Sequence, residues 1–356
     1  MGKEIYKMIM KDKGEKDRSP LTEGLYDIRK EDIQFLSLNS VTLNLLYSGR
    51  VKGGIPIGHI SMISAPSQLG KSFIAMQVIK NAQNKNMNVI VIDTERAFKS
   101  DMANTLNISL SEEDIQIFRL NKIEKVESII VAISENLTPE ERNNTLFVLD
   151  SWGTLITSKA VKDSLTGNDV TDMTEAKKKN RLANIMLDTG CTFFVVNHVY
   201  DNTGGFGDPL KIPGGKRLVF NSEEIVLGMS MAKERNKTTR ELEGNIITAK
   251  TYKSRFCKSE IRLQYRLKFN GGLDPFYGIL PDAMEGGYVI KPKAGYYSRA
   301  FMENDKPVKE NNLYTVDFWK PIFKETDFEQ YLENKYTYEK TSIVDTEKEF
   351  LSDLFS

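Results

Sequence analysis

Cysteine and histidine are scarce in this chain of 356 residues, which has two of each. Two cysteines, Cys191 and Cys257, cannot form a framework of disulfides, and free thiols are typical of proteins in a reducing compartment. No CxxC pair and no HExxH spacing occurs, which argues against a structural zinc site. Neither His59 nor His198 is accompanied by a GxSxG elbow, which argues against a Ser-His-Asp hydrolase.

Long apolar runs and an excess of either charge are also missing. No N-terminal segment resembles a signal peptide, and no stretch approaches the roughly 18 apolar residues of a membrane span, so we expect a cytoplasmic protein with no membrane partner. Basic and acidic residues balance at 49 each. Residues 231–268 nevertheless hold eleven Lys and Arg against four acids, and residues 303–356 hold seven Lys against thirteen acids. This order is typical of a nucleic-acid-binding protein with an acidic tail, although chance sorting of surface charge is an alternative.

Short apolar runs alternate with amphipathic segments along the middle of the chain. Unalternating runs of four to six residues are typical of buried parallel strands, and we predict five of them at residues 59–64, 89–92, 146–149, 192–196 and 224–228. Segments 72–84 and 174–188 are predicted helices. Segments 246–251 and 260–269 alternate apolar and polar residues, as half-exposed antiparallel strands do. The pattern predicts an α/β fold with a mainly parallel central sheet flanked by helices.

A phosphate-binding motif lies between the first predicted strand and the first predicted helix. The segment Ala65-Pro-Ser-Gln-Leu-Gly-Lys-Ser72 fits xxxxxGK[ST], with Ala65 in place of the usual first glycine. Loop amides and the positive end of the helix bind phosphates, Lys71 reaches the β- and γ-phosphates, and the Ser72 hydroxyl binds Mg²⁺. A first residue with positive φ would strain an alanine. The predicted nucleotide-binding residues of this loop are Ala65, Pro66, Ser67, Gln68, Leu69, Gly70, Lys71 and Ser72.

Acidic residues follow two of the predicted strands. Asp150 ends the run 146–149, and Asp93 and Glu95 follow the run 89–92. Ligands of open α/β sheets bind at the carboxyl ends of the strands, so these acids are expected beside the phosphate loop. We predict a nucleoside triphosphate site in which Ser72 and Asp150 bind Mg²⁺. The alternative is that the acids cap strand-to-loop turns.

Three segments resemble the RecA-type recombinases: Val91-Ile-Asp-Thr-Glu95, Leu146-Phe-Val-Leu-Asp-Ser151 and Val195-Val-Asn-His198. The resemblance implies that Glu95 activates the attacking water and that Asp150 binds Mg²⁺. It also implies that His198, at the place of a glutamine in RecA, senses the γ-phosphate. A hydrogen-bonded histidine at a strand end is the alternative for His198.

The resemblance also indicates where the base and the DNA are bound. Met102 stands where RecA has a tyrosine that stacks on adenine, with Phe98 nearby. Two polar segments, 159–172 and the glycine-rich 200–216, match the DNA-binding loops, and loops of this length are usually functional or disordered. Lysines and amides would hold phosphates, and aromatic rings would stack on bases. The predicted DNA-binding residues are Lys159, Lys162, Tyr200, Asn202, Gly204, Gly205, Phe206, Lys211, Lys216 and Arg217. A surface loop without a ligand is the alternative.

Two cations resemble those with which the family completes a neighbouring subunit's ATP site. Lys253 and Arg255 form a K-x-[KR] pair, and Lys250 is a candidate assistant. Such cations in trans would make hydrolysis depend on assembly. A solvated basic strand is the alternative. Phe220 stands where the family has an aromatic residue at the subunit interface, and core packing is its alternative.

The segments 270–275, 289–297 and 317–319 are similar to the UvsX recombinases of T-even bacteriophages. This resemblance implies a DNA recombinase that uses ATP and Mg²⁺, forms a helical filament of its own subunits on single-stranded DNA, and pairs that strand with a homologous duplex. It also implies a mediator protein and a single-strand-binding protein as partners, in the cytoplasm of a bacterial host. We predict an N-terminal arm for subunit contacts (1–30), an ATPase core (31–270) and a small C-terminal domain with an acidic tail (271–356).

Two other functions share parts of this site. A hexameric helicase motor with the same fold would share the phosphate loop and both acids, but the sequence lacks a bulky N-terminal helical domain. A non-catalytic mediator or adaptor would not require Glu95, Asp150 and the paired cations.

Overall fold

The structure is a computed structural model that describes residues 33–165, 174–201, 210–236 and 239–338. Its strands are β1 (Phe35–Leu36), β2 (Ile55–Pro56), β3 (Ile60–Ser64), β4 (Asn88–Asp93), β5 (Gln116–Phe118), β6 (Thr145–Asp150), β7 (Thr192–Asn197), β8 (Tyr200–Asp201), β9 (Leu210–Lys211), β10 (Glu224–Arg235), β11 (Leu242–Lys253), β12 (Arg262–Lys268), β13 (Gly272–Leu273), β14 (Val289–Lys293), β15 (Tyr296–Arg299) and β16 (Val308–Lys309). Its helices are α1 (Val41–Ser48), α2 (Lys71–Asn84), α3 (Ser100–Thr105), α4 (Ile123–Glu135), α5 (Pro139–Asn143), α6 (Ser158–Leu165), α7 (Glu175–Asp188), α8 (Lys216–Asn221), α9 (Leu280–Glu285), α10 (Val316–Glu325) and α11 (Phe328–Tyr336), with a 3₁₀ turn at Glu310–Asn312.

A nine-stranded sheet is the centre of the fold. Its order is β13-β12-β11-β10-β3-β7-β6-β4-β5. The strands from β10 to β5 are parallel, whereas β11, β12 and β13 continue the sheet in antiparallel fashion. β10 joins the two parts, because its first residues pair with β3 and its whole length pairs with β11. The five predicted parallel strands and both predicted antiparallel strands are confirmed.

Apolar residues cover both faces of the parallel strands. In β4, Val89 and Val91 pack on one face, and Ile90 and Ile92 pack on the other. Helix α2 covers the first face, and α4 and α7 cover the second. Burial on both faces explains why these strands are uninterrupted apolar runs rather than alternating ones. The polar ends of the strands are left to line the edge of the sheet.

The residues after the large sheet form a smaller sheet and three helices. Strands β14, β15 and β16 are antiparallel, and Phe318 and Trp319 of α10 belong to the same apolar core as α2. Arg266 of β12 lies beneath this region, with its guanidinium 4.8 Å from the Tyr277 ring and 4.7 Å from the Tyr314 ring. The domain boundaries at residues 30 and 270 stay predictions.

Arg266 is also the centre of an ionic cluster. It is 8% exposed, bonds the Asp274 carboxylate through two nitrogens, and lies 3.1 Å from a Glu234 oxygen. The acids raise the pKa of the guanidinium although burial alone would lower it. A buried cation with two acids and two rings fixes the junction between the large sheet and the C-terminal residues.

No helix in the described part of the chain has both the length and the apolar composition that crossing a membrane requires.

Candidate functional site

A cavity of about 650 Å³ opens at the carboxyl edge of the parallel strands. The phosphate loop between β3 and α2 forms one side, and residues that follow β4, β6 and β7 form its floor. The lining residues are Ser67, Gln68, Gly70, Lys71, Ser72, Phe73, Glu95, Asp101, Met102, Thr105, Asp150, His198, Leu267, Lys268 and Phe269. Sequence motifs separated by more than one hundred residues therefore meet in one place.

The conformation of the phosphate loop does not strain Ala65. Positive φ angles occur at Gln68 (68°) and Gly70 (76°), and Ala65 is not among the described residues with positive φ. The expectation that Ala65 would be strained by a positive φ is therefore wrong. The Ala65 methyl group instead faces Gly228 of β10, where an added Cβ would lie 2.7 Å from the Cβ of Ala65. An alanine fits at position 65, where the motif usually has glycine, because Gly228 has no side chain and leaves room for the Ala65 methyl group.

Lys71 is folded onto its own loop. Its ammonium donates hydrogen bonds of 2.8 Å to the carbonyls of Ala65 and Pro66. Burial lowers the pKa of Lys71, and the charges of Asp150 and Glu95 oppose this shift. An ammonium has three donors, so one remains after the loop carbonyls are bound. The ammonium lines the cavity and has one donor left for a ligand.

Asp150 fits the predicted metal site. Asp150 is 8% exposed, its carboxylate lies close enough to the Ser72 hydroxyl for that group to favour the charged form, and its Oδ1 atom has no hydrogen-bond partner in the described part of the chain. Burial raises the pKa of Asp150 to about 6, and the neighbouring Glu95 and Asp93 add to the effect. A buried carboxylate oxygen without a donor, beside a hydroxyl, matches the oxygen ligands that Mg²⁺ requires. We therefore retain Ser72 and Asp150 as the residues that would hold Mg²⁺.

Glu95 is held from two sides. The Ser151 hydroxyl donates to its Oε1 atom, and His198 Nε2 lies 2.7 Å from the same oxygen. Burial raises the pKa of Glu95, but the hydrogen bonds from Ser151 and His198 outweigh burial and leave the pKa below its usual value. The carboxylate is thus ionised at neutral pH and fixed in direction. The peptide bond that joins Asp150 to Ser151 is cis.

Asp93 has a different role from Glu95. Its carboxylate accepts hydrogen bonds from the amides of Ala97 and Phe98, at 2.8 and 3.3 Å, and Arg119 lies 3.6 Å away. It is 1% exposed and does not line the main cavity. For this acid, capping of the strand-to-loop turn is the correct interpretation.

The far side of the cavity is apolar. Met102 of α3, which is 37% exposed, lines it together with Leu267 of β12 and Phe269, which follows β12. Phe98 is buried, and it is not among the described residues that line the cavity. Sequence reasoning missed the β12 residues, because they precede the break at residues 270–275 and carry no motif. It also missed Ser151, although a hydroxyl directly after Asp150 was a usable signal.

The end of β7 connects the cavity to the segment 210–216. Asn197 is fully buried and donates a 3.0 Å bond to the Pro213 carbonyl, while its own side-chain oxygen accepts the His198 amide. Trp152 donates a 2.7 Å bond to the Gly214 carbonyl. A Cβ at Gly214 would lie 2.4 Å from the Trp152 ring, and the φ of Gly214 is 95°. The exit of the predicted second DNA-binding loop is therefore tied to the strands that carry Asp150 and His198.

The predicted cations Lys250 and Lys253 of β11, and Arg255 just after it, do not line the cavity in the described part of the structure. The Lys253 ammonium bonds three carbonyls at the end of α8, and Arg255 lies 3.1 Å from a Glu223 carboxylate oxygen. Lys250 is 1% exposed and pairs with Glu260 at 2.9 Å, so it is neither solvated nor directed to a ligand surface. Phe220 is 60% exposed, which excludes core packing within the described subunit.

All six of the described residues that were predicted to bind DNA lie on the surface. Lys159 and Lys162 are exposed on helix α6, so this part of the predicted loop is helical. Glu124 holds the start of α6, because its carboxylate accepts bonds from the Ser158 amide and hydroxyl and from Lys178. These bonds outweigh burial and lower the pKa of Glu124 to about 2. The exposed residues of the second segment are Tyr200, Lys211, Lys216 and Arg217. The remaining predicted residues, Asn202, Gly204, Gly205 and Phe206, lie outside the described residues.

Two family models match this chain along successive segments. The RecA N-terminal domain matches residues 7–274, and the C-terminal domain of the bacteriophage T4 recombination and repair protein matches residues 276–332. The chain belongs to the RecA family.

Individual members of the RecA family are distant relatives. The recombination and repair protein of Enterobacteria phage T4 is 24% identical over 83% of this chain and 76% of its own length. Protein RecA of Thermus thermophilus is 23% identical over 75% of this chain and 76% of its own length. A crystal structure of the RadB recombinase superposes with a TM-score of 0.47 at 16% identity, over 68% of this chain and 99% of its own.

Membership fixes the general activity and confirms the RecA-like fold. The chain is a RecA-type recombinase of recombination and repair. At this coarse level, the RecA family implies ATP binding, DNA-dependent ATPase activity, DNA binding and filament formation. The roles of individual residues are proposals.

Proposed function

We propose that this RecA-family chain hydrolyses ATP when it is bound to single-stranded DNA, assembles into a helical filament on that strand, and exchanges it with a homologous duplex. The observation that carries the proposal is the meeting of Lys71, Glu95, Asp150 and His198 in one cavity. We assign MgATP as the ligand, a mediator and a single-strand-binding protein as partners, and the cytoplasm of a bacterial host as the location.

The phosphate loop binds and orients the triphosphate. Its amides and the positive end of the 14-residue helix α2 attract phosphate oxygens. Lys71 exchanges loop carbonyls for β- and γ-phosphate oxygens. When Mg²⁺ is bound by Ser72 and Asp150, it offsets the phosphate charge. Met102, Leu267 and Phe269 form the apolar surface against which the base packs.

Glu95 accepts the proton of the attacking water. Its lowered pKa keeps the carboxylate ionised, and Ser151 and His198 fix its direction. Because His198 adjoins both Glu95 and the phosphate cavity, a γ-phosphate competes with Glu95 for the imidazole. A movement of His198 would shift Asn197, which accepts the His198 amide, and through it Pro213 of the second DNA-binding segment, whose carbonyl Asn197 binds.

Lys253 at the end of β11 and Arg255 just after it complete a neighbour's site, and the surface segments hold DNA. Lys253 and Arg255 lie outside the cavity of their own subunit, which supports a role across an interface, where exposed Phe220 also packs. Lysines of α6 and the residues of 200–217 hold the phosphates of the strand. Because these contacts are mainly to the backbone, affinity decreases with salt, and base pairing rather than the protein selects sequence.

Glu95→Gln tests the assignment of the base. The amide cannot accept the proton of water, so we expect DNA-stimulated hydrolysis to fall by about 10²–10⁴-fold. Filament assembly on single-stranded DNA with ATP should persist, measured by light scattering or electron microscopy. The matched control is Glu113→Gln, an exposed glutamate after α3, which should retain both activities. Loss of assembly together with hydrolysis in a folded Glu95→Gln protein would contradict the proposal.

Mixed filaments test the cation in trans. Lys71→Ala subunits lack a working phosphate loop but keep Lys253, whereas Lys253→Met subunits are the reverse. Each is expected to be inactive alone, and an equal mixture should regain activity at roughly one interface in four by random head-to-tail assembly. No recovery in mixtures that form filaments would refute the trans role. DNA-independent hexamers that unwind duplexes would instead identify a helicase motor.

A further inference from the structure

Lys253 is bound at the C-terminal end of α8, the helix that directly follows the second DNA-binding segment. Its Nζ atom lies 2.9 Å from the Val219 carbonyl, 2.8 Å from that of Phe220 and 2.6 Å from that of Ser222. These carbonyls are at a helix end, where they lack intrahelical partners and where the helix dipole favours a cation. We call this set of three carbonyls the α8 cage.

The α8 cage uses the whole hydrogen-bonding capacity of the lysine. An ammonium has three donors and no acceptor, and each donor here has one carbonyl. Lys253 is half-buried in this position. A phosphate oxygen can therefore bind the ammonium only when at least one carbonyl is released. Arg255, two residues on, has no such conflict, because it pairs with Glu223 and its side chain is 61% exposed.

The cage also connects two parts of the proposed mechanism. Helix α8 begins at Lys216, immediately after Gly214 and Gly215 of the DNA-binding segment. Its end is fixed by Ser222, whose amide and hydroxyl both donate to the Leu218 carbonyl. A change in the binding of Lys253 therefore acts on a short helix whose other end adjoins the proposed DNA-binding segment.

We propose that the α8 cage and the ATP of the neighbouring subunit compete for the Lys253 ammonium, so that completion of the neighbour's site releases the end of α8. This inference rests on the proposed function and adds to it a positioning role for Ser222 and the carbonyls of α8. In the unassembled subunit the lysine caps α8. In the filament it binds phosphate, and α8 and the DNA segment adopt a different arrangement. Binding of the strand and completion of the ATP site become linked equilibria.

The competition predicts that a weaker cage favours ATP. Ser222→Gly removes the hydroxyl bond and loosens the backbone of one cage carbonyl, and it leaves Lys253 unchanged. We expect the ATP concentration for half-maximal DNA-stimulated hydrolysis to fall by roughly two- to fivefold, the size of a helix-end interaction with a cation. A merely structural role of the cage would raise this concentration. Ser230→Gly, a serine further along β10, is the matched control and should leave it unchanged.

Hydrogen exchange of the free subunit provides the second measurement. Lys253→Met removes the cap, so amides of residues 216–222 should exchange faster than in the wild type, and Arg255→Met should leave them protected. An unchanged rate in Lys253→Met would refute the cage, and a raised or unchanged ATP requirement in Ser222→Gly would refute the competition. If the wild type shows no DNA-stimulated hydrolysis, the proposed function fails, whereas the exchange comparison still reports on the cage.

Discussion

Replacing Asp150 with asparagine is expected to stabilise the ligand-free protein at neutral pH while it removes the proposed metal site. Burial raises the pKa of Asp150 from 3.8 to about 6, with smaller contributions from Glu95 and Asp93. One unit of pKa corresponds to 1.36 kcal/mol, so ionisation of this carboxyl in the folded state costs about 3 kcal/mol. The proposed Mg²⁺ site thus requires a charge that burial of Asp150 disfavours.

The sign of the pH dependence follows from the raised pKa. The folded state favours the protonated carboxyl, so its stabilising contribution is complete below the unfolded pKa of 3.8 and is lost as the pH rises through about 6. Asparagine is neutral throughout and keeps an oxygen for the Ser72 hydroxyl. We expect Asp150→Asn to unfold with a free energy about 1–3 kcal/mol higher than the wild type above pH 7, with the gain vanishing near pH 4.

The assay is urea denaturation with a chelator present, from pH 4 to pH 8. Asp114→Asn is the control, because hydrogen bonds from Ser109 and Ser111 lower the pKa of that exposed carboxyl, and its loss should give no gain at neutral pH. In a parallel series without chelator, added MgATP should stabilise the wild type and leave Asp150→Asn nearly unchanged. A mutant no more stable than the wild type at pH 7.5, or a gain independent of pH, would refute the reasoning.

Three further substitutions test other parts of the structure. Arg266→Met leaves two acids without their buried cation, so the free energy of unfolding should fall by about 3–5 kcal/mol in urea denaturation. Gly214→Ala places a methyl group against Trp152, and DNA-stimulated hydrolysis should fall at least tenfold; Gly190→Ala has a similar positive φ but an open surrounding and should remain active. Glu124→Gln weakens the anchor of α6, so affinity for single-stranded DNA should fall by about two- to fivefold in fluorescence anisotropy, with little change in hydrolysis without DNA.

The order of elements and the centre of the site could be predicted from the sequence because both depend on local patterns. Parallel strands covered on both faces are apolar runs, and the phosphate loop and Asp150 lie where such runs end. Contacts between distant segments could not be predicted in this way. The apolar wall at Leu267 and Phe269 comes from an antiparallel extension of the sheet, and no periodicity indicates that it reaches the cavity.

The hydrogen-bond and ion-pair partners of individual side chains could not be predicted from the sequence either. Asp93 and Glu95 both follow β4, yet turn amides bind Asp93 and Ser151 and His198 bind Glu95. Lys250 and Lys253 lie on the same strand, yet one is buried against Glu260 and the other caps a helix. Such differences depend on which neighbouring element supplies donors and acceptors, and an offset of two or three residues along the chain is enough to change them.

The contact between Ala65 and Gly228 makes these two positions dependent on each other. The space between them holds only one methyl group, because a Cβ added to Gly228 would lie 2.7 Å from the Cβ of Ala65. Mutations here should therefore be non-additive. Gly228→Ala alone should disturb the phosphate loop, whereas Ala65→Gly combined with Gly228→Ala transfers the methyl group to the other strand and should restore the packing. Among relatives, glycine at the first motif position releases this constraint, and the two sites are expected to covary.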